Sequence, residues 1–290
     1  MARTARPPAS SRLVTLTSDI GSAYAAQMKA VLVSDGVPPG RIVDLAHDLP
    51  AHAVGEAAFL FREMARGFPN DSVHVVVVDP GVGGQRNPVI VSTGRGPILV
   101  GPDNGVLYPL AVELGLGSAH RIEVGRLARP GRVGTTFDGR DLFAPAAARL
   151  ATGSPASALG PPTRLRRFSL PEPTRSRAGA EGEVLHVDRF GNLITNVPTR
   201  WAPSSAASAV VGVARSPASS VPFAASYEAL GRGRTGLLGS SFGLLEVSVG
   251  EGRAADRFRA RVGSRVTIRW VAGGPTPGET DNSARPRKRG

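Results

Sequence analysis

Asp79 and Arg86 stand at the two ends of Asp79-Pro80-Gly81-Val82-Gly83-Gly84-Gln85-Arg86, directly after the four consecutive valines Val75 to Val78. A proline and three glycines bend the chain sharply there, so the acid and the guanidinium could face each other; a structural turn tied by an ion pair is the other local reading. The loop lacks the Lys-Ser/Thr of a nucleotide-triphosphate loop. In Thr17-Ser18-Asp19-Ile20-Gly21, Asp19 follows an apolar run and could accept two hydrogen bonds from a vicinal diol, or cap the next helix. Thr135 to Pro145 holds Asp138, Arg140 and Asp141 in one short loop before an apolar segment. Asp141 could cap that helix, whereas Asp138 has no obvious structural duty. In Asp188-Arg189-Phe190-Gly191-Asn192, an aromatic ring sits beside an amide. Such a pair suits a purine, with the ring stacking and the amide offering both a donor and an acceptor.

These loops need a scaffold, and the periodicity supplies one. Apolar strands over Leu13–Thr17, Arg41–Leu45 and Val73–Val78 alternate with helical segments over Ala23–Ser34 and Ala53–Gly67. Shorter strands are expected over Val89–Ser92 and Ile98–Val100, and a helix over Pro145–Thr152. Strands that are apolar throughout and separated by helices predict an α/β domain with a mainly parallel sheet covered by helices. Ligand sites in such sheets open at the strand C-termini, where three of the four segments fall. After a Pro- and Arg-rich stretch come short β segments with Gly-rich connections: Gly182–Val187, Leu193–Asn196, Ala209–Val213, Leu244–Val249 and Arg265–Trp270. They predict a smaller, all-β, barrel-like domain. The expected division is a disordered N-terminus over 1–12, an α/β domain over 13–154, a linker over 155–178, a β-barrel over 179–272 and a disordered basic tail over 273–290.

A chain of 290 residues is long enough for two cores, and 41% hydrophobic with 20% charged residues is ordinary for a globular protein. No apolar stretch approaches membrane-spanning length, and the basic N-terminus leads into no apolar signal core, so a soluble cytoplasmic protein is expected. The absence of cysteine excludes disulfides, thiolate metal sites and cysteine nucleophiles. Segments 1–12, 163–177 and 271–290 carry nine of the twelve net positive charges, which points to solubilising tails and a basic connection rather than a specific nucleic-acid site. The thirty-three arginines against two lysines suggest coding bias more than phosphate recognition.

Together with Gly101-Pro102-Asp103-Asn104-Gly105, these segments resemble the S-adenosylmethionine hydroxide adenosyltransferase family, relatives of the fluorinase and chlorinase. The likeness spans roughly Leu13 to Trp270. It rests on Asp-Pro-Gly-Val-Gly with Arg86 following, on the Pro-Asp-Asn-Gly run, and on Arg-Phe-Gly-Asn-Leu-Ile-Thr-Asn, in that order. The resemblance implies a homotrimer with the ligand between one subunit's α/β domain and a neighbour's barrel. It also implies hydrolysis of S-adenosylmethionine to adenosine and methionine by water attack at ribose C5′, with no further cofactor and no metal. By motif match Asp79, Arg86 and Asp138 would surround the water, and Asp19 would hold the ribose diol. Phe190 and Asn192 would contact adenine, with Tyr227 as a second wall. Phe137 would line the substrate pocket, and Ser240 would meet the methionine carboxylate. Where the family usually reads Thr-Phe-His-Gly-Arg-Asp, this chain has Asp138 in the histidine position; Ile20 and His52 stand where relatives carry aromatics. Carboxylates at Asp79 and Asp138 would repel a halide, which disfavours halogenation. A homologue that binds adenosyl ligands without turnover is the alternative raised by the exchanged histidine.

Overall fold

The computed structural model describes residues 11–127 and 136–272. Contacts divide the chain into two units, one running to Leu170 and the other starting at Pro171. The first unit contains β1 (Val14–Ser18), α1 (Gly21–Ser34), β2 (Ile42–Ala46), α2 (Val54–Ala65), β3 (Val73–Val77), β4 (Pro88–Thr93), β5 (Ile98–Pro102), α3 (Tyr108–Glu113), β6 (Leu116–Arg121), α4 (Val124–Leu127), α5 (Ala144–Ala151) and β7 (Pro162–Thr163). Its sheet has the order β2-β1-β3-β5-β4-β6-β7.

The sheet is mixed, which corrects the expectation of a mainly parallel one. Strands β2, β1, β3 and β5 run parallel, while β4 pairs antiparallel with both β5 and β6, and β6 with β7. The cause is the connection from β4 to β5: Gly94–Pro97 is too short for a crossover, so only a hairpin closes it. Gly96 makes that turn with φ +110°, and a Cβ there would lie 2.5 Å from the Asn70 carbonyl oxygen.

Alternation along β3 sorts its side chains between two layers. Val73, Val75 and Val77 pack with Val14 and Leu16 against Met28 and Leu32 of α1 and Ala144, Ala147 and Ala148 of α5. His74 points the other way, edge-on to Phe61 of α2 and to Phe68. Helix α1 begins at Gly21, two residues before the expected start, and α3, β6 and β7 had no counterpart among the expected elements. Of the terminal segments expected to be disordered, Ser11 is buried and the Arg12 N–H donates to Ala151 O at 2.9 Å. The rest of 1–12, all of 273–290, and Thr135 lie outside the described residues.

The second unit comprises β8 (Thr174–Arg175), β9 (Gly179–Val187), β10 (Leu193–Pro198), β11 (Ala206–Val213), β12 (Ser219–Pro222), α6 (Tyr227–Leu230), β13 (Thr235–Gly239), β14 (Leu244–Val249), α7 (Ala254–Phe258) and β15 (Arg265–Ala272). All of its named strand pairings are antiparallel, in the order β12-β11-β15-β9-β10-β14-β13, with β8 beside β9. Phe223, just after β12, bridges Leu237 of β13, and the Ala224 N–H donates to Leu237 O at 2.9 Å. That contact nearly closes the sheet into a barrel and leaves little free edge. Ala209, Val211 and Val213 of β11 turn inward at period two and meet Val184, Leu193, Val247, Val266 and Ile268.

Candidate active site

In the first unit the site assembles where β1 and β3 end. The turn after Val78 returns through hydrogen bonds from Val82 N–H to Asp79 O (3.2 Å) and from Gly84 N–H to Gly81 O (3.0 Å). It brings Arg86 back onto Asp79: Arg86 Nε donates to Asp79 Oδ1 (3.0 Å) and Oδ2 (2.8 Å), and Nη2 also donates to Oδ2. The same Nη2 donates to Asp138 Oδ2 at 2.5 Å. One guanidinium thus clamps two carboxyl groups that are 4% and 5% exposed. Burial alone would lower the Arg86 pKa, but the hydrogen bonds and charges of Asp79 and Asp138 outweigh it and hold the guanidinium above its ordinary value. The Phe143 ring lies 5.6 Å from Arg86 Cζ and adds a cation–π contact. Gly81 leaves room for this arrangement, since a Cβ there would sit 3.3 Å from Arg86 Cγ.

Asp138 reaches the clamp from the wide π-type turn over Gly139–Phe143 that leads into α5. Turns of this kind recur at functional sites because they re-aim side chains that a regular helix would direct elsewhere. Asp141 does not cap α5; its carboxyl pairs with Arg140 at 2.7 and 3.1 Å. Phe137 packs against the core, edge-on to Tyr24 at 5.4 Å, with Arg140 over its ring. Asp19 follows β1, and its Oδ2 accepts the His52 N–H at 3.0 Å, so it does not serve as a helix cap.

Several contacts that support this site were not anticipated from the sequence. Asn104 donates from Nδ2 to Val78 O (2.8 Å) and accepts the Val106 N–H (3.1 Å), pinning the exit of β3. Ser18 Oγ contacts His47 Nδ1 at 2.8 Å, His47 Nε2 lies 3.0 Å from Asp44, and Lys29 holds Asp44 at 2.8 Å. Burial would raise the Asp44 pKa, yet Lys29 and His47 bring it below the ordinary value. The His47 carbonyl accepts the Gly21 N–H at 2.9 Å, so this chain of contacts ties down the loop that carries Asp19. A pairing between positions 18 and 47 leaves no trace in local periodicity. The Pro-Asp-Asn-Gly run was visible, but not its clamping role.

The second unit has its own cavity of about 530 Å³, lined by Asp188, Phe190, Asn192, Tyr227 and residues 249–252. Its turn is organised by Asp188: Oδ1 accepts the N–H groups of Phe190 (2.9 Å) and Asn192 (2.8 Å), and Oδ2 accepts Asn192 Nδ2 (2.8 Å). The Asn192 amide is thereby oriented, with Oδ1 as its remaining acceptor. Gly191 is obligatory there, because φ is +83° and a Cβ would lie 2.7 Å from Arg253 Cβ. Phe190 and Tyr227 are 68% and 54% exposed, while Asn192 is buried at 5%. Two open rings beside a fixed amide present stacking surface and hydrogen bonding to a flat heterocycle. Burial, then the hydrogen bond to Glu246 and the nearby carboxyl of Asp188, raise the Tyr227 hydroxyl above its ordinary pKa. Glu246, buried in β14, was not anticipated. Ser240 does not line this cavity: it sits in the turn between β13 and β14, its Oγ accepting the Phe242 N–H at 3.3 Å. Among the described residues no group of three or more His, Asp or Glu could hold a metal ion, and no helix is long and apolar enough to cross a membrane.

Comparison with known proteins covers both units. The chain is 35% identical over 272 residues to the (R)-S-adenosyl-L-methionine hydrolase of Salinispora arenicola, covering 90% of this chain and 98% of that protein. It is 38% identical to the Thermus thermophilus protein of the same name, with 89% and 99% covered. A fluorinase from Actinoplanes is more distant, 26% identical over 64% of this chain and 71% of the fluorinase. The crystal structure of an uncharacterized conserved protein from Thermotoga maritima superposes with a TM-score of 0.81 at 30% identity, covering 88% of this chain and 99% of that one. The models of the N-terminal and C-terminal domains of SAM hydroxide adenosyltransferase match residues 14–160 and 182–267, and the chain belongs to that family.

Proposed function

We propose that this protein hydrolyses S-adenosyl-L-methionine to adenosine and L-methionine, and that the (R) epimer at sulfur, named in its relatives, is the substrate. The observation that carries the reading is the buried Asp79–Arg86–Asp138 clamp at the end of β3, in a chain similar over about nine-tenths of its length to proteins of that name. Asp79 and Asp138 hold a water molecule in line with the C5′–sulfur bond, and Arg86 fixes both carboxyl groups. The water oxygen forms a bond to C5′ as the carbon–sulfur bond breaks. The bonding pair leaves with sulfur, which becomes the neutral thioether of methionine, and the water's proton passes to a carboxylate and then to solvent. A sulfonium leaving group needs no acid, so positioning and exclusion of bulk water supply the rate, effects worth about 7–11 kcal/mol in favourable cases.

Asp19 is assigned the ribose diol, and Phe190, Asn192 and Tyr227 the adenine. Phe137 lines the pocket and Ser240 meets the methionine carboxylate. These roles, the homotrimer and its intersubunit site follow from the family resemblance. The paired carboxyl groups oppose a halide nucleophile, so halogenation is not the reading they support. Incubation with S-adenosylmethionine, with and without chloride, followed by chromatography tests the proposal. Adenosine and methionine in equal amounts are expected; a chlorinated nucleoside, or ligand retained without product, would overturn it.

A further inference from the structure

Independently of that reading, we propose that the barrel unit carries a second binding site, for a compact anion bearing several phosphate groups, between residues 214–217 and 257–264. A cavity of about 1050 Å³ opens there, lined by Arg215, Arg257, Arg259 and Arg261 with Ser216 and Ser264, and no Asp or Glu is among its lining residues. An arginine-rich chain will place arginines together by composition alone, so the discriminating observation is that four of them converge on one concavity that no acid lines. Elsewhere some guanidinium groups meet acids, as Arg62 and Arg66 meet Glu63, Arg126 meets Glu123, Arg140 meets Asp141, Arg253 meets Asp256 and Arg265 meets Glu181, while others such as Arg41, Arg95 and Arg149 stand singly without an acid partner among the described residues. In this cavity Arg257 donates to Gly233 O at 2.7 Å. The side chains of Arg215, Arg259 and Arg261 have no hydrogen-bond or ion-pair partner among the described residues.

Like charges gathered in a concave surface repel one another and focus positive potential on whatever enters, and the guanidinium fork matches a phosphate group with two parallel donors. The backbone supports this placement. Ala214 and Arg259 both adopt left-handed conformations, φ 54° and 47°, which non-glycine residues adopt rarely and mostly where the surroundings hold them. The segments are tied internally, with Ser216 N–H on Val213 O at 3.0 Å and Arg261 N–H on Ser264 Oγ at 2.9 Å. A monoanion would leave most of the cluster uncompensated, whereas a short polyphosphate chain engages several guanidinium groups at once. A single open concavity suits such an anion better than the extended track a nucleic-acid strand requires.

Calorimetric titration of the full chain with inorganic tripolyphosphate tests the site. Saturable binding of one anion per chain is expected. The double variant Arg215→Gln/Arg261→Gln should weaken it at least about tenfold, the equivalent of about 1.4 kcal/mol. Arg285→Gln/Arg287→Gln, which removes the same charge from the C-terminal segment, should change it less than about twofold. Absence of saturable binding, equal weakening by both variants, or uptake of a single-stranded RNA oligonucleotide but not tripolyphosphate would overturn the proposal. The readout does not involve Asp79, so its failure leaves the hydrolase reading standing.

Discussion

Arg86 holds two carboxyl groups with one planar fork, and a lysine could not reproduce that geometry, because an ammonium is a point charge without the bidentate match. Arg86→Lys is therefore expected to lower kcat by about 100-fold or more with a smaller change in KM, in the range seen when a positioned polar group is lost from an active site. A raised KM with kcat unchanged would mean that Arg86 serves ligand binding instead. Asp138 stands where the family resemblance leads one to expect a histidine, and it sits on Arg86 rather than apart from it. Asp138→Asn keeps the shape but removes the charge, and turnover should fall while adenosine binding persists; unchanged turnover would remove Asp138 from the chemistry. The facing of Asp79 and Arg86 was legible in the sequence because a proline–glycine turn of that length can do little else. The contacts of Ser18 with His47 and of Tyr227 with Glu246 were not, since each joins residues that only the folded sheets bring together.

Strand β3 carries the site at its end and a buried titratable group in its middle. His74 is held near Thr15, at 2.8 Å, and between two phenylalanine rings, and burial lowers its pKa from 6.5 to about 4. Between those values the unfolded chain binds the additional proton, so the stability given by a neutral His74 is complete above about pH 6.5 and is lost as pH falls toward 4. The loss amounts to about 3 kcal/mol. Urea unfolding of the wild type and of His74→Gln at pH 7 and pH 4.5 checks this: the wild type should lose more stability than the variant on acidification. A pH-independent difference between the two would contradict it. Long apolar strands and helices were read to within a few residues, because burial on both faces dictates continuous hydrophobicity. Strand β6, Leu-Gly-Ser-Ala-His-Arg, is largely exposed and carries no such run, and β12 and β13 are short segments, four and five residues long, without a continuous apolar run. The antiparallel β4–β5 pair was legible in principle from its four-residue connection, but uniform hydrophobicity pointed toward a parallel sheet.

For the whole molecule, the clamp belongs to one unit and the aromatic cavity to the other, and the proposed trimer assigns each active site to two subunits. That assignment predicts complementation. Asp79→Asn and Asn192→Ala should each be nearly inactive alone, whereas subunits of the two variants, dissociated and reassembled together, should recover activity at the sites that combine two intact halves. No recovery in verified mixed assemblies would place both halves of a site in one chain. The central claim, that water attacks C5′, is tested most directly by running the reaction in oxygen-18 water and analysing the products by mass spectrometry. Adenosine carrying the heavy oxygen at its 5′-hydroxyl, with unlabelled methionine, is the predicted result. Methylthioadenosine with labelled homoserine would show attack at the methionine carbon instead and would contradict the account.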